Sequence, residues 1–143
     1  MQASRSAWRF AAIALPVLVA SAPATGQDDP WLAIQTNNAG ALDYVRQSEI
    51  EAFADVSPAN CMLILSDGEE IRVFQKCAPV AAALKNERLV SFPNEFGMVF
   101  VSPSSIFDLF STNTSGCRLN LKNRKFVSVN QSCDSVHQAL PRE

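Results

Sequence analysis

Cys61, Cys77, Cys117 and Cys133 carry the most reactive side chains in this 143-residue sequence, and their spacing narrows what they can do. Sixteen residues separate Cys61 from Cys77, and sixteen separate Cys117 from Cys133. Structural zinc sites draw ligands from short C-x-x-C turns, so neither pair has zinc spacing. An even number of widely spaced cysteines fits two disulfides, the common use of cysteine in an oxidising compartment. Four cysteines allow three pairings. The simplest is local, Cys61–Cys77 and Cys117–Cys133. Each bridge then closes a loop whose restraint on the unfolded chain is worth about 3 kcal/mol.

His137 is the only histidine, with Asp134 and Ser135 close by. A catalytic triad needs residues that converge in space, and neighbours along one helical turn do not supply it. His137 is therefore read as a surface residue. Asp67-Gly-Glu-Glu70 is acidic but lacks the alternating ligands of a calcium loop. No phosphate-binding glycine loop and no nucleophile elbow is present. No catalytic residue, metal site or cofactor is assigned. Paired carboxylates remain as an alternative, since a hydrolase of envelope polymers needs only two that meet in the fold.

Charge is the more informative signal. Residues 25–70 hold nine acids and one base, and residues 71–143 hold five acids and nine bases. The contrast peaks at two matching turns. One carries Asp67, Glu69 and Glu70, and the other carries Lys122, Arg124 and Lys125, with Arg118 nearby. Arg118, Lys122, Arg124 and Lys125 are the candidate binding residues, a tip suited to anions. An acidic protein, a glycan or an anionic lipid head group would match it. Complementary tips would also allow self-association, and with it a structural part in an envelope assembly. The net charge of −2 is not that of a polybasic nucleic-acid binder, so no nucleic-acid partner is expected.

The N-terminus has the layout of a secretory signal peptide. Arg5 and Arg9 precede the apolar run 10–20, and small residues follow up to Ala24. The apolar stretch is short for a membrane span, which takes about 20 residues, and contains Pro16. Cleavage after Ala24 is expected. It removes Arg5 and Arg9, so ten bases against fourteen acids leave a mature charge of −4. The expected organisation is a signal peptide (1–24), a short linker (25–30) and one α+β domain, exported to the periplasm or the extracellular space. No later segment is apolar enough to span a bilayer.

That domain reads as two tandem modules, 31–86 and 87–143. At a shift of 56 residues, fourteen of 57 positions are identical, against about three or four by chance. Cys61-x-Leu63-x-Leu65 meets Cys117-x-Leu119-x-Leu121, and Val73-x-Gln75-x-Cys77 meets Val129-x-Gln131-x-Cys133. Each cysteine pair brackets alternating apolar residues around a turn, the pattern of a β-hairpin. Asp67-Gly68 is a strong turn signal. Arg124 replaces Gly68 in the second copy, which predicts a longer or differently shaped turn there. Val80, Ala83 and Leu84, and their counterparts Val136, Ala139 and Leu140, predict a short helix after each hairpin. Ser48-Glu-Ile-Glu51 has capping-box form and predicts another helix, carrying Ile50 and Phe53. Its counterpart starts near Pro103 and carries Ile106, Leu109 and Phe110. Trp31–Gln35 and Arg88–Ser91 are expected to match as strands. Each pseudo-symmetric module is then β-β-α-β-β-α with a disulfide-closed hairpin. Phe92, Phe96, Phe100, Phe107 and Phe110 crowd into one short stretch and read as the core of the second module. The function this supports is a small exported binding module of unknown ligand, more readily than an enzyme.

Overall fold

The structure, a computed structural model, describes residues 30–37, 39–84, 88–112 and 115–142. The expected signal peptide, its cleavage site and all of the linker but Pro30 lie outside the described residues. In chain order the elements are β1 (Trp31–Gln35), β2 (Leu42–Arg46), a 3-10 turn (Gln47–Glu49), β3 (Ile50–Ser57), β4 (Asn60–Leu65), β5 (Glu70–Val73) and α1 (Cys77–Ala83). The same order follows again. It runs β6 (Val90–Asn94), β7 (Gly97–Val101), a 3-10 turn (Pro103–Ser105), β8 (Ile106–Ser111), β9 (Cys117–Leu121), β10 (Phe126–Val129) and α2 (Cys133–Ala139).

The strands form three antiparallel sheets: a hairpin β1-β2, a central sheet ordered β5-β4-β3-β7-β6, and a sheet ordered β10-β9-β8. The central sheet is apolar on both faces. Ile50, Phe53, Leu63, Leu65 and Val73 cluster with Leu32, Ile34 and Val45 of the hairpin and with Val80 of α1. Ala52, Ala54, Ile64, Val99 and Val101 cluster with Leu119, Leu121, Val127 and Val129 of the three-stranded sheet and with Val136 of α2. A strand buried on both faces needs apolar residues at successive positions, which is what Ala52, Phe53 and Ala54 provide.

That double burial explains the main departure from expectation. No helix forms over 48–53 or 102–110. Each segment opens with one 3-10 turn and continues as a strand, β3 or β8. Ile50 and Phe53 have helical spacing only because β3 lacks the polar alternation of a half-exposed strand. Ser48 lies inside the 3-10 turn, whose N-cap position is Arg46, and so does not open a helix. Among the described residues the protein is thus mostly β-sheet with two short helices, a small α+β domain. The expected match of residues 31–35 with 88–91 also shifts. Leu32 pairs with Val45, and Val90 pairs with Val101, because six residues join β1 to β2 and two join β6 to β7.

The disulfides join Cys61 to Cys77 and Cys117 to Cys133, with Cα atoms 5.0 and 4.9 Å apart. Each ties the first strand of a hairpin to the helix that follows the second. Ser132 caps α2 by accepting the Ser135 N–H at 3.1 Å. Lys76 offers no such cap to α1, and a distant residue supplies it. Asp55, 2% exposed at the end of β3, accepts the Cys77 N–H at 2.8 Å through one carboxylate oxygen. Its other oxygen accepts the Met98 N–H at 2.9 Å, with Lys76 Nζ 3.7 Å away. Asn94 Nδ2 donates to the Asp55 carbonyl at 2.9 Å. Gly97 permits this approach, because a Cβ there would collide with the Asp55 carboxylate.

Removing the Asp55 carboxylate leaves two backbone donors without their acceptor at a buried site. Asp55→Ala is expected to lower the unfolding free energy by about 3 kcal/mol or more. Gly97→Ala, which presses on the same carboxylate, is expected to destabilise as well. Equilibrium urea unfolding of the oxidised chain measures both, and wild-type stability in Asp55→Ala would refute the role given to this carboxylate.

Candidate functional site

The β9-β10 turn shows why the second hairpin can present cations. Leu121 N–H donates to the Lys125 carbonyl at 2.8 Å, Arg124 N–H to the Leu121 carbonyl at 3.0 Å, and Lys125 N–H to Asn123 Oδ1 at 2.9 Å. The first hairpin makes the same three bonds: Leu65 N–H to Glu69, Gly68 N–H to Leu65, and Glu69 N–H to Asp67 Oδ1. The expected longer or reshaped second turn does not occur. Asn123 supplies the same side-chain acceptor as Asp67, and Arg124 takes the left-handed conformation of Gly68, with φ of 75° against 91°. Arg124 is the one described non-glycine residue with positive φ. Such a backbone costs an L-residue about 1–2 kcal/mol. Strain of this kind concentrates where a side chain has a task.

The two tips also meet. Asn123 Nδ2 donates to the Leu65 carbonyl at 2.7 Å, and Lys125 Nζ lies 3.5 Å from Glu70 Oε2. Their opposite charges are therefore matched in part within one chain. Lys125 and Glu70 are thus taken up within one chain, whereas no ion pair joins Lys122 or Arg124 to Asp67 or Glu69 among the described residues. Both partners of the ion pair are well exposed, so the pair itself adds little stability.

Arg118, Lys122, Arg124 and Lys125 line one open groove of about 430 Å³, together with Phe107, Asp108, Asn120 and Leu121. Strand register explains the grouping. Arg118 lies opposite Phe110 on one side and Ser128 on the other, and Asn120 lies opposite Asp108 and Phe126. These residues share the face of the three-stranded sheet that points away from the core. The Arg118 guanidinium sits 4.1 Å from the centre of the Phe126 ring. Its Nε donates to Asn120 Oδ1 at 2.9 Å, and Asn120 Nδ2 donates to Asp108 Oδ1 at 2.6 Å. Arg118 is thus held by a ring and an amide while its terminal nitrogens make no hydrogen bond to a described residue. Lys122 and Arg124 make no side-chain hydrogen bond or ion pair among the described residues. Stacked, oriented arginine and unpaired lysine are groups that recognise phosphate and carboxylate.

Sequence reasoning named the four cations but not Phe107, Asp108, Asn120, Phe110 or Phe126. The period-two pattern Arg118-x-Asn120 and Phe126-x-Ser128 was the available signal for one shared face. The phenylalanine cluster is also redistributed. Phe92 is buried, and Phe100 stacks on Phe53 with ring centres 4.9 Å apart, but Phe96, Phe107 and Phe110 are exposed. The core is filled instead by Val, Leu and Ile from three sheets, so three of the five rings are surface groups.

His137 is exposed on α2, and Ser135 Oγ is engaged by Gln131 Nε2 at 2.9 Å. Asp55 is committed to the backbone contacts described above. Among the described residues no group of three or more histidine, cysteine or acidic side chains could hold a metal ion. No described helix is long and apolar enough to cross a membrane.

No family model matches the chain, and no curated protein matches it. Among solved structures, the fold resembles a LytTr DNA-binding domain from Bacillus cereus. The TM-score is 0.52 at 14% identity, over 76% of this chain and 93% of that one. At that identity the likeness concerns the fold. It nevertheless overturns the expectation of no nucleic-acid partner. That expectation rested on net charge, which averages over a chain whose cations are gathered at one end.

Arg124→Gly is expected to raise the unfolding free energy by up to about 1 kcal/mol, because glycine relieves the left-handed strain at some cost in unfolded-state entropy. Thermal unfolding of the oxidised variant measures it. A loss of stability would show that the Arg124 side chain makes a contact worth more than the strain.

Proposed function

We propose that this chain is a small exported, disulfide-stabilised binding module, and that the groove over β8, β9 and the β9-β10 turn takes an anionic ligand. One observation carries the reading: four cations of one hairpin line a single groove, one of them held in a strained backbone conformation. The two disulfides and the leader-like N-terminus support an oxidising destination, periplasmic or extracellular.

Nucleic acid is the anion that the observations favour. The groove combines cations with one exposed aromatic ring, Phe107, while the neighbouring Phe126 ring carries the Arg118 guanidinium, and a cationic surface with a stacking ring is how single strands are held without reading sequence. The likeness in fold to a domain described as DNA-binding adds weight to this choice, although a shared fold does not by itself carry function.

We also infer that the domain arose by tandem duplication of one module. Support comes from the repeated element order, the two equivalent disulfides and the shared turn bonds. On this reading the groove belongs to one copy only, since the equivalent tip of the other copy is acidic.

Fluorescence anisotropy with a labelled single-stranded oligonucleotide tests the proposal, with duplex of the same sequence alongside. Reversing Lys122, Arg124 and Lys125 to glutamate is expected to weaken binding more than tenfold while the chain stays folded. With four cations engaged, the affinity for single strands should fall with salt on a log–log slope of about −3. Equal binding by wild type and the reversed variant removes the groove as the site.

A further inference from the structure

The central sheet is made from two parts of the chain. β3, β4 and β5 form three strands, and the hairpin β6-β7 completes the five by pairing β7 to β3. The register is Ala52↔Val101, Phe53↔Phe100 and Ala54↔Val99. The Ser102 N–H also donates to the Glu51 carbonyl at 2.9 Å. Glu51–Ser102 and Phe53–Phe100 are therefore the bonded positions of this antiparallel pair, and the positions between them are the narrow ones.

The other half of each arrangement is open. The hairpin β1-β2 holds the place in the first module that β6-β7 holds in the second, and β8-β9-β10 is likewise the second module's counterpart of β3-β4-β5. Among the described residues β2 pairs only with β1, and β8 pairs only with β9. Natural sheets guard such edges with proline, short length or charge. The outer strands of the central sheet follow this rule: β6 contains Pro93, and β5 is four residues long with Glu70 and Arg72. β2 and β8 run five and six residues without proline, and their charges are Asp43 and Arg46 on β2 and Asp108 on β8. Their flanks are apolar and exposed, with Tyr44 62%, Phe107 72% and Phe110 59% accessible.

We propose that β2 of one copy pairs with β8 of a second copy, building between two chains the five-stranded sheet that one chain builds within itself. Carrying the β3–β7 register over to the equivalent positions of the other module gives Asp108↔Val45, Leu109↔Tyr44 and Phe110↔Asp43. Tyr44 then lies across from Leu109 as Phe100 lies across from Phe53. No like charges face each other in this register. A second copy is the favoured occupant because the pairing needs no new design, only the contact already present between β3 and β7. The union is head-to-tail: each chain keeps one open β2 and one open β8, so it extends unless its rotation closes a ring.

Sedimentation of the oxidised chain over the micromolar to millimolar range should show mass rising beyond a dimer, or settling at a ring. Tyr44→Pro removes the N–H that faces the incoming strand and should return the chain to a monomer. A second test does not depend on that variant folding. Phe110 and Asp43 fall at a narrow position, where Cα atoms about 4.5 Å apart suit a disulfide. Mixing Asp43→Cys chains with Phe110→Cys chains should give a disulfide between the two types, located by peptide mapping. A wild-type monomer throughout, or bridges formed mainly between chains of the same type, would overturn the proposal.

Discussion

β3 is the strand on which the rest of the molecule depends. It is flanked by partners from both parts of the chain, β4 on one edge and β7 on the other. Its two faces feed two different cores, Phe53 into one and Ala52 with Ala54 into the other. At its end Asp55 holds α1 and the start of β7 through one carboxylate. A charge so deeply buried is tolerable because backbone donors meet both oxygens and a lysine stands close. Without Gly97 that convergence is blocked sterically. Packing, helix capping and the joining of two sequence-distant hairpins thus meet in one strand.

The two tips show how the same backbone carries different chemistry. Identical turn bonds leave the side chains free to diverge, and they have diverged in charge. Part of that divergence is internal, since Lys125 faces Glu70 and Asn123 bonds to Leu65. What is left over around the second tip is Arg118, Lys122 and Arg124, which form no ion pair with a described carboxylate. A chain with a negative total can therefore still present a positive surface, because fields over a groove depend on the nearest charges and on screening within about 10 Å.

Much of this was legible in the sequence where local rules act alone. The cysteine spacing led to both disulfides, and Asp67-Gly68 marked a hairpin. The four cations that share the groove were visible as a cluster around one turn. Legibility failed where burial on two faces erased the usual periodicity. Ile50 and Phe53 imitated a helix because β3 has no solvent face to mark with polar residues. Asp55 gave no signal either, being one of two acids in a largely apolar strand, and its partners lie 22 and 43 residues away. Phe107, Phe110 and Phe126 were missed for the opposite reason. Phenylalanine is expected inside, and only the register of β8, β9 and β10 shows which rings point out.

The exposed rings and the open edges belong to one argument. In the middle of the molecule a three-stranded sheet receives a hairpin on its edge, and the resulting face is covered by the next sheet. At the end of the chain the same kind of sheet has neither. Its outward face carries Arg118, Asn120, Asp108 and Ser128, where the central sheet carries Met62, Ile64, Ala52 and Arg72 at the equivalent positions of the first module. Three of the four are more polar than their counterparts, but Phe110 and Phe126 on the same face stand where the first module has Ala54 and Glu70, so this face mixes polar groups with exposed rings. The edge of the same sheet has Phe107, Leu109 and Phe110 along β8 and no proline to block pairing. Face and edge therefore point to different partners: a polar or charged ligand can lie across the face, and only a strand can satisfy the edge.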